Sequence, residues 1–474
     1  MTTTLLRAGA AEGDITPQKN LPNYNGTEME TDTSLPEGEA SADTTVKAGP
    51  LKCKVLALAA GDKTVEKQGE TVIKLDETVV FVACDLTFID RSLVLRIRDE
   101  CRWRLNLSPD KIMVTATHTH NAPTVCHTFL TGGKPDPIYL DFLVSQIVAT
   151  TQKALSNMEE VLVGSGVIPA PAFTGNRRRL RPGGGITFID SQEHWELNLP
   201  PEGPVDPYMS YLFFETPEGR PLAFMVTLSC HNNCCDTFGS GGYHGDFYGS
   251  IADALQKNLP SLKSVLSLPA PAGNILWKKE SEDNNLCGGA LAESIGERCA
   301  SLLFDAYIKS ERKEVGSIKM LCEAFYMRDR GPEESTICDD GCRGDSQWEL
   351  EFARLRYEPE SAAVQERGET GCLVEIAAIA FDDTVIATNP AELFVEYGLQ
   401  IREESPFPVT MVLELTNGYC GYVPTGEAFN NKGYETHRTV YTSRLKKEAG
   451  DLIAAKSLDM INSLYDSLDG LAAK

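Results

Sequence analysis

The chain has 474 residues, 42% hydrophobic and 24% charged, the composition of a folded globular protein with a substantial buried core. Its formal net charge of −24 repels nucleic acid and anionic membrane surfaces and favours neutral or cationic partners, and the expected partner is a small-molecule substrate. No run approaches the ~20 apolar residues of a membrane span, and Met1–Arg7 lacks the apolar core of a signal peptide. The expected setting is therefore cytoplasmic, with the fourteen cysteines mostly free thiols.

Residues 12–50, polar and rich in Pro, Gly, Thr and Glu, read as an irregular excursion. Lys52–Ala60 reads as a strand and Glu66–Glu77 as a hairpin tip. Thr78–Asp85 is a buried strand, β-branched and apolar up to its polar end. Leu93–Leu105 has helical spacing. Lys111–Thr115 is a strand that runs into Ala116-Thr117-His118-Thr119-His120. Strand, helix, strand and then polar residues suggest a βαβ unit. Ligands in open α/β sheets sit beyond the carboxyl ends of strands, where these two histidines lie.

Downstream, Asp136–Met158 reads as a helix and Asn176–Gly185 as a basic, glycine-rich loop. Leu222–Leu228 is a strand ending at Ser229-Cys230-His231, and Phe247–Asn258 a helix. Ser264–Leu268 is a strand running into Pro269–Asn274, followed by a helix over Cys287–Lys309 and a long strand over Glu314–Tyr326. Arg328–Arg343 reads as irregular and Gln347–Glu366 as helical. Cys372–Phe381 and Thr384–Thr388 form a hairpin around Asp382-Asp383. Ala391–Glu403 is a helix, Pro408–Leu415 a strand leading to Asn417-Gly418-Tyr419, and Ser443–Leu468 mainly a terminal helix. The alternation predicts an α/β fold of layered mixed sheets flanked by helices. With no linker to divide it, residues 1–474 are expected to form one domain.

Seven histidines supply the metal-binding candidates. In an extended segment, residues i and i+2 point to the same side, so His118 and His120 are expected to face one cleft. His231 also follows a predicted strand. Imidazoles with a carboxylate suit a divalent metal, and catalytic sites keep a position open for water. The bland alternative is a set of surface or satisfied core histidines. Cys230, Cys234 and Cys235, followed by Asp236, offer a rival thiolate site, but they lack the second CxxC that structural zinc usually takes. Cys338 and Cys342 lie too far away in sequence to join them. Asp246, after His244-Gly245, is either a helix cap or a partner to a metal-bound histidine. The run Arg177-Arg178-Arg179-Leu180-Arg181 is either an anion site or a solvated loop with local ion pairs. Pro271-Ala272-Gly273-Asn274 is a weak phosphate-loop signal.

Several segments together resemble the catalytic domain of the neutral/alkaline non-lysosomal ceramidase family. They are Ala8–Pro17, Cys84-Asp85-Leu86, Thr117–Pro123 (similar to THTHSGP), Asn176-Arg177, Ser229-Cys230-His231 with Gly245-Asp246-Phe247, Asn389–Glu392, Asn417–Thr425 and Gly433-Tyr434-Glu435. They run in order along nearly the whole chain. The resemblance implies a ceramidase-like catalytic domain without the family's C-terminal immunoglobulin-like domain. It implies a Zn2+ ion held by His118, His231, Glu392 and Tyr422, with His120, Arg177 and Tyr434 near the reacting carbonyl. The same ligand types admit Mn2+ or Fe2+.

The chain departs from the pattern in two places. Gly273-Asn274-Ile275-Leu276-Trp277 holds no serine where the family has one, and Asn121 replaces the serine of THTHSGP. The expected substrate is therefore smaller and more polar than ceramide, with an anionic group met by Arg177 to Arg181. The leading expectation is a metal-dependent hydrolase of an amide, or of an ester or lactone. The alternatives are a metal-dependent lyase, isomerase or redox enzyme on a sugar-like metabolite, and a non-catalytic binding protein.

Overall fold

A computed structural model describes residues 5–26, 28–29, 49–60, 64–67, 70–73, 77–130, 132–188, 198–235, 242–279, 283, 286–331, 359–368 and 370–472. Three β-sheets share one core. The first holds β1 (Arg7–Asp14), β2 (Lys52–Ala59), β3 (Val79–Cys84), β4 (Ile112–Ala116) and the short β5 (Glu159–Glu160), in spatial order β4-β3-β2-β1-β5. Helices α1 (Arg91–Leu105) and α2 (Pro137–Ser156) cover its outer face. The second sheet orders β6 (Leu162–Pro169), β7 (Tyr208–Glu215), β8 (Pro221–Leu228) and β9 (Ser264–Pro269), with α3 (Asp246–Asn258) and α4 (Gly288–Lys309) outside. The third orders β10 (Lys319–Arg328), β11 (Gly371–Phe381), β12 (Thr384–Thr388) and β13 (Val409–Leu413). Its cover is α5 (Val395–Glu404), α6 (Gly426–Asn431) and α7 (Ala449–Ala472).

Strand periodicity explains the layering. Leu56, Leu58 and Phe81 point inward and meet Leu212, Phe214, Met225 and Leu266 from the second sheet, and Ile379, Ile386 and Met411 from the third. The alternate residues Val55, Ala57, Val80 and Val82 point outward against Val94, Ile97, Leu143 and Ile147 of the helices. Both faces of the central strands are therefore buried, which is why they read as near-continuous apolar runs. Each such Leu, Ile, Val or Phe contributes about 1.5–3 kcal/mol when fully removed from water.

Each sheet contains one parallel pair: β3 with β4, β8 with β9 and β12 with β13. The βαβ unit expected from the sequence is β3-α1-β4. Asp90 caps α1 by accepting the Leu93 amide at 2.8 Å. The predicted α/β architecture of mixed sheets flanked by helices is the one observed. Among the described residues, no helix is long and apolar enough to cross a membrane.

Several local expectations change. Residues 7–14 form a full strand, so the irregular segment begins later than predicted. β1 lies so close to α2 that a Cβ on Gly9 would stand 2.1 Å from the Ala154 carbonyl oxygen. The hairpin pairs Thr64–Lys67 with Glu70–Ile73 and so overlaps the predicted tip at Glu66–Glu77, beginning two residues earlier. The Asn176–Gly185 loop contains the strand Arg178–Leu180, paired with Ile186–Phe188. The third sheet's long strand starts at Lys319 rather than Glu314. A helix occupies 359–367, and the earlier part of the predicted helix lies outside the described residues, as do Cys338, Cys342, His194 and Asp236. The terminal helix starts at Ala449. The largest consequence falls at Glu392. The sequence predicts a helix from Ala391, but Glu392-Leu393 is extended and pairs in parallel with Tyr422-Val423, and α5 starts only at Val395.

Candidate metal centre

The carboxyl ends of β4, β8 and β12, one from each sheet's parallel pair, converge on one buried point. His118 follows β4, His231 follows β8 and Glu392 follows β12, and all three are about 1% exposed. His118 does not continue the strand. Its φ of 64° is left-handed, a conformation a histidine adopts at a cost that its surroundings must offset. Those surroundings are specific. Thr117 and His118 donate their amides to the carbonyls of Cys84 and Leu86, both at 2.9 Å. Asp85, paired with the buried Lys54 at 3.0 Å, accepts the Thr117 hydroxyl at 3.3 Å. Asn232 donates to the Thr117 carbonyl at 3.1 Å. The His118 and His120 rings do meet, with centroids 5.1 Å apart and planes at 87°. A backbone turn brings them together, because strand alternation stops at Ala116.

The histidine tautomers follow from hydrogen bonding. Nδ1 of His118 lies 3.1 Å from the Thr87 carbonyl, and Nδ1 of His231 lies 2.9 Å from Ala272 and 3.1 Å from Ile275. Carbonyls only accept, so each Nδ1 carries the proton and each Nε2 keeps its lone pair. The Nε2 atoms face Glu392 Oε2 at 3.5 Å and 3.3 Å. Burial holds both histidines well below the usual 6.5. For His118 the Glu392 carboxylate opposes that shift, and for His231 the Arg177 charge adds to it. His118 Nε2 and Glu392 Oε2 are buried with no hydrogen-bond partner among the described residues. The His118 lone pair and a Glu392 oxygen therefore face one another unpartnered, with His231 Nε2 beside them against the Tyr422 hydroxyl. Such an arrangement is costly unless a cation sits in it. Among the described residues these three form the group of histidine, cysteine and acidic side chains whose donor atoms all lie within 4.8 Å. The residues fit a divalent metal ion.

Tyr422 borders the same point. Its hydroxyl lies 3.3 Å from His231 Nε2 and accepts from Arg177 Nη2 at 3.2 Å. Burial, and then the Glu392 carboxylate, push this phenol well above its usual value of 10. Tyr419 donates its hydroxyl to Glu392 Oε1 at 2.9 Å, which leaves Oε2 turned to the histidines. Tyr419→Phe should therefore loosen the carboxylate and weaken metal affinity by about 10–100-fold, the usual cost of losing a group that orients a ligand. Competition with a chromophoric chelator measures this, and an unchanged affinity would show that Glu392 needs no such support.

The three expected catalytic residues lie around the same cluster. The Tyr24 hydroxyl is 3.0 Å from His120 Nδ1. Arg177 is buried, bonds Glu435 Oε1 through Nε at 2.8 Å, and donates from Nη2 to the Gly273 carbonyl at 2.7 Å. The Tyr434 ring lies 5.7 Å from that of Tyr422.

The expected anion site over Arg177 to Arg181 is not assembled. Arg178 is fully buried, 2.7 Å from Glu435 and paired with Glu202. Arg179 donates to the Leu199 carbonyl at 3.2 Å and Arg181 to Thr187 at 2.9 Å. The short strand pairing turns successive arginines to different surroundings, and only Arg177 faces Tyr422. Cys230, Cys234 and Cys235 are buried, and burial raises the first two thiols well above the usual 9. None of the three joins the histidine–glutamate group. The Cys234 and Cys235 amides donate to Asp246, at 3.2 Å and 2.7 Å. Asp246 is the first residue of α3, and its carboxylate also accepts the Phe247 amide. Asp246 therefore ties the Cys234-Cys235 turn to the start of α3, whose N-cap is Gly245. Asn274 braces α5 by accepting the Val395 amide at 2.9 Å and donating to Glu396, so its loop is a structural bracket.

Sequence reasoning missed Tyr24, Phe88, Tyr419 and Glu414. Phe88 packs its ring 5.1 Å from His118 and 4.1 Å from Tyr419. Tyr419 lay inside a quoted motif, two residues after Asn417. Tyr24 sat in the irregular segment, where nothing marks it.

No protein-family model matches the sequence, and no curated protein does. Solved structures do match. The neutral ceramidase from Pseudomonas aeruginosa superposes with a TM-score of 0.67 at 15% identity, over 98% of this chain and 75% of that one. A ceramidase complexed with C2 also gives 0.67 at 15% identity, over 98% of this chain and 76% of that one. Three sheets wrapped around one core, with parallel pairs aimed at a shared histidine–glutamate cluster, thus make up a ceramidase-like fold.

Proposed function

We propose that this protein is a metal-dependent hydrolase of an amide, or of an ester or lactone, in a small polar substrate. The observation that carries the reading is the buried convergence of His118 Nε2, His231 Nε2 and Glu392 Oε2, two of them without a hydrogen-bond partner among the described residues, with the Tyr422 hydroxyl alongside. Zn2+ is the favoured ion for two imidazoles, a carboxylate and a phenol, and Mn2+ or Fe2+ suit the same donors. Such an ion polarises a carbonyl and lowers the pKa of the water it holds towards ~7.

The chain's own residues divide the remaining work. Burial opposes the Arg177 charge, but Tyr422 and Glu435 outweigh it and raise its pKa, so it stays a permanent cation. Held by Glu435 and the Gly273 carbonyl, it is fixed before substrate arrives and supports negative charge developing beside Tyr422. Tyr24 holds His120 at Nδ1, which makes Nε2 the nitrogen that exchanges a proton with substrate. Tyr434 supplies a second hydroxyl at the same wall. The likeness to two ceramidases supports an amide as the bond.

The test is turnover of a panel of small N-acyl amides, esters and lactones by metal-loaded protein in heavy-oxygen water. One heavy oxygen should enter one product. Turnover without that incorporation would replace hydrolysis with elimination or isomerisation. Protein that holds no metal and gives neither turnover nor ligand stabilisation would favour a non-catalytic binding or structural protein.

A further inference from the structure

Glu414 follows the last residue of β13 and is completely buried. Its Oε2 accepts two backbone amides, from Ala272 and Leu393, both at 3.1 Å. Its own amide donates to the Pro269 carbonyl at 3.1 Å, and its carbonyl accepts the Thr416 hydroxyl at 3.1 Å. The two amides it grips lie on the two segments that bring His231 and Glu392 together. The Ala272 carbonyl accepts the Nδ1 proton of His231 at 2.9 Å, and Leu393 directly follows Glu392. These segments already touch. The Gly273 amide donates to the Leu393 carbonyl at 2.9 Å, and a Cβ on Gly273 would stand 2.5 Å from the Glu392 carbonyl oxygen.

We propose that Glu414 is a positioning residue that sets the spacing between His231 and Glu392. This rests on the reading that those side chains hold a metal ion. One carboxylate oxygen bridges a segment that follows the second sheet and a segment that follows the third, at the place where the ligand atoms must meet. Glu414 Oε1 is buried with no hydrogen-bond partner among the described residues. A buried carboxyl group satisfied on only one oxygen is a poor choice for stability alone. The grip on two amides gives it a use that an apolar residue cannot supply.

The experiment titrates Zn2+ into metal-free full-length protein against a chromophoric chelator, with circular dichroism to check folding. Glu414→Leu removes both acceptors and should weaken zinc binding by about 10–100-fold. Glu414→Gln keeps an oxygen for both amides and should bind zinc within about threefold of the unmodified protein. Glu414→Asp shortens the reach and should fall between the two, which keeps the test intact if the leucine variant does not fold. Leucine or aspartate variants that bind zinc as tightly as the unmodified protein would overturn the proposal and leave the metal centre standing. A glutamine variant as weak as the leucine variant would overturn the two-amide account. An unmodified protein that binds no zinc would instead sink the metal-centre reading, and this inference with it.

Discussion

His118→Ala is expected to abolish tight metal binding, about one ion per chain, and turnover with it. The loss should exceed the ~10–100-fold that removing a mere orienting group costs. The reason is geometric. Nε2 of His118 and of His231 face the same Glu392 oxygen, so removing one imidazole leaves one imidazole, the carboxylate and the Tyr422 phenol for an ion that prefers four donors. The fold should survive. The deleted ring carries a buried nitrogen with no hydrogen-bond partner among the described residues, which offsets part of the cavity penalty. Metal analysis of the purified variant, with a thermal melt to confirm cooperative unfolding, measures the effect. Full metal content with unchanged turnover would contradict it.

Lys54→Met is expected to destabilise the protein by about 3–5 kcal/mol, because it strands a charged carboxylate in the interior. Lys54 and Asp85 have side chains only 1% and 2% exposed and lie 3.0 Å apart. Asp85 also accepts the Lys52 amide at 2.9 Å and the Thr117 hydroxyl, so the pair holds the turn that presents His118. The double variant Lys54→Met with Asp85→Leu should recover most of the stability, since an apolar pair of similar volume replaces a buried ion pair well. It should not recover metal affinity, because Thr117 has lost its anchor. Denaturant unfolding and a zinc titration separate the two effects. A single variant within about 1 kcal/mol of the unmodified protein would show the pair to be solvated, at odds with its burial.

The sequence carried the architecture well because both faces of the central strands are covered. Runs such as Thr78–Asp85 and Leu222–Leu228 needed no partner to be read as strands. His118 and His231 could be found for the same reason, since each follows a strand that periodicity identifies. Glu392 could not be reached that way. Its segment looks like the start of a helix, and only pairing with Tyr422-Val423, thirty residues on, makes it extended. That pairing is a long-range fact that no local window contains. The left-handed turn at His118 escaped for a related reason, being imposed by Cys84, Leu86 and the Lys54–Asp85 pair. The arginine run misled because adjacent charges suggest a shared patch, whereas strand pairing sends its members to different surroundings. Glu414 was one acidic residue after an apolar strand, with nothing local to separate it from a surface carboxylate.

The central claim is that three strand ends, one from each sheet, build a metal centre. Anomalous diffraction at the zinc edge, on crystals of protein supplied with Zn2+, tests it most directly. The account predicts one peak about 2.0–2.2 Å from His118 Nε2, His231 Nε2 and Glu392 Oε2, lost in crystals of His118→Ala. Density for those three side chains with no peak between them, in protein saturated with zinc, would contradict it.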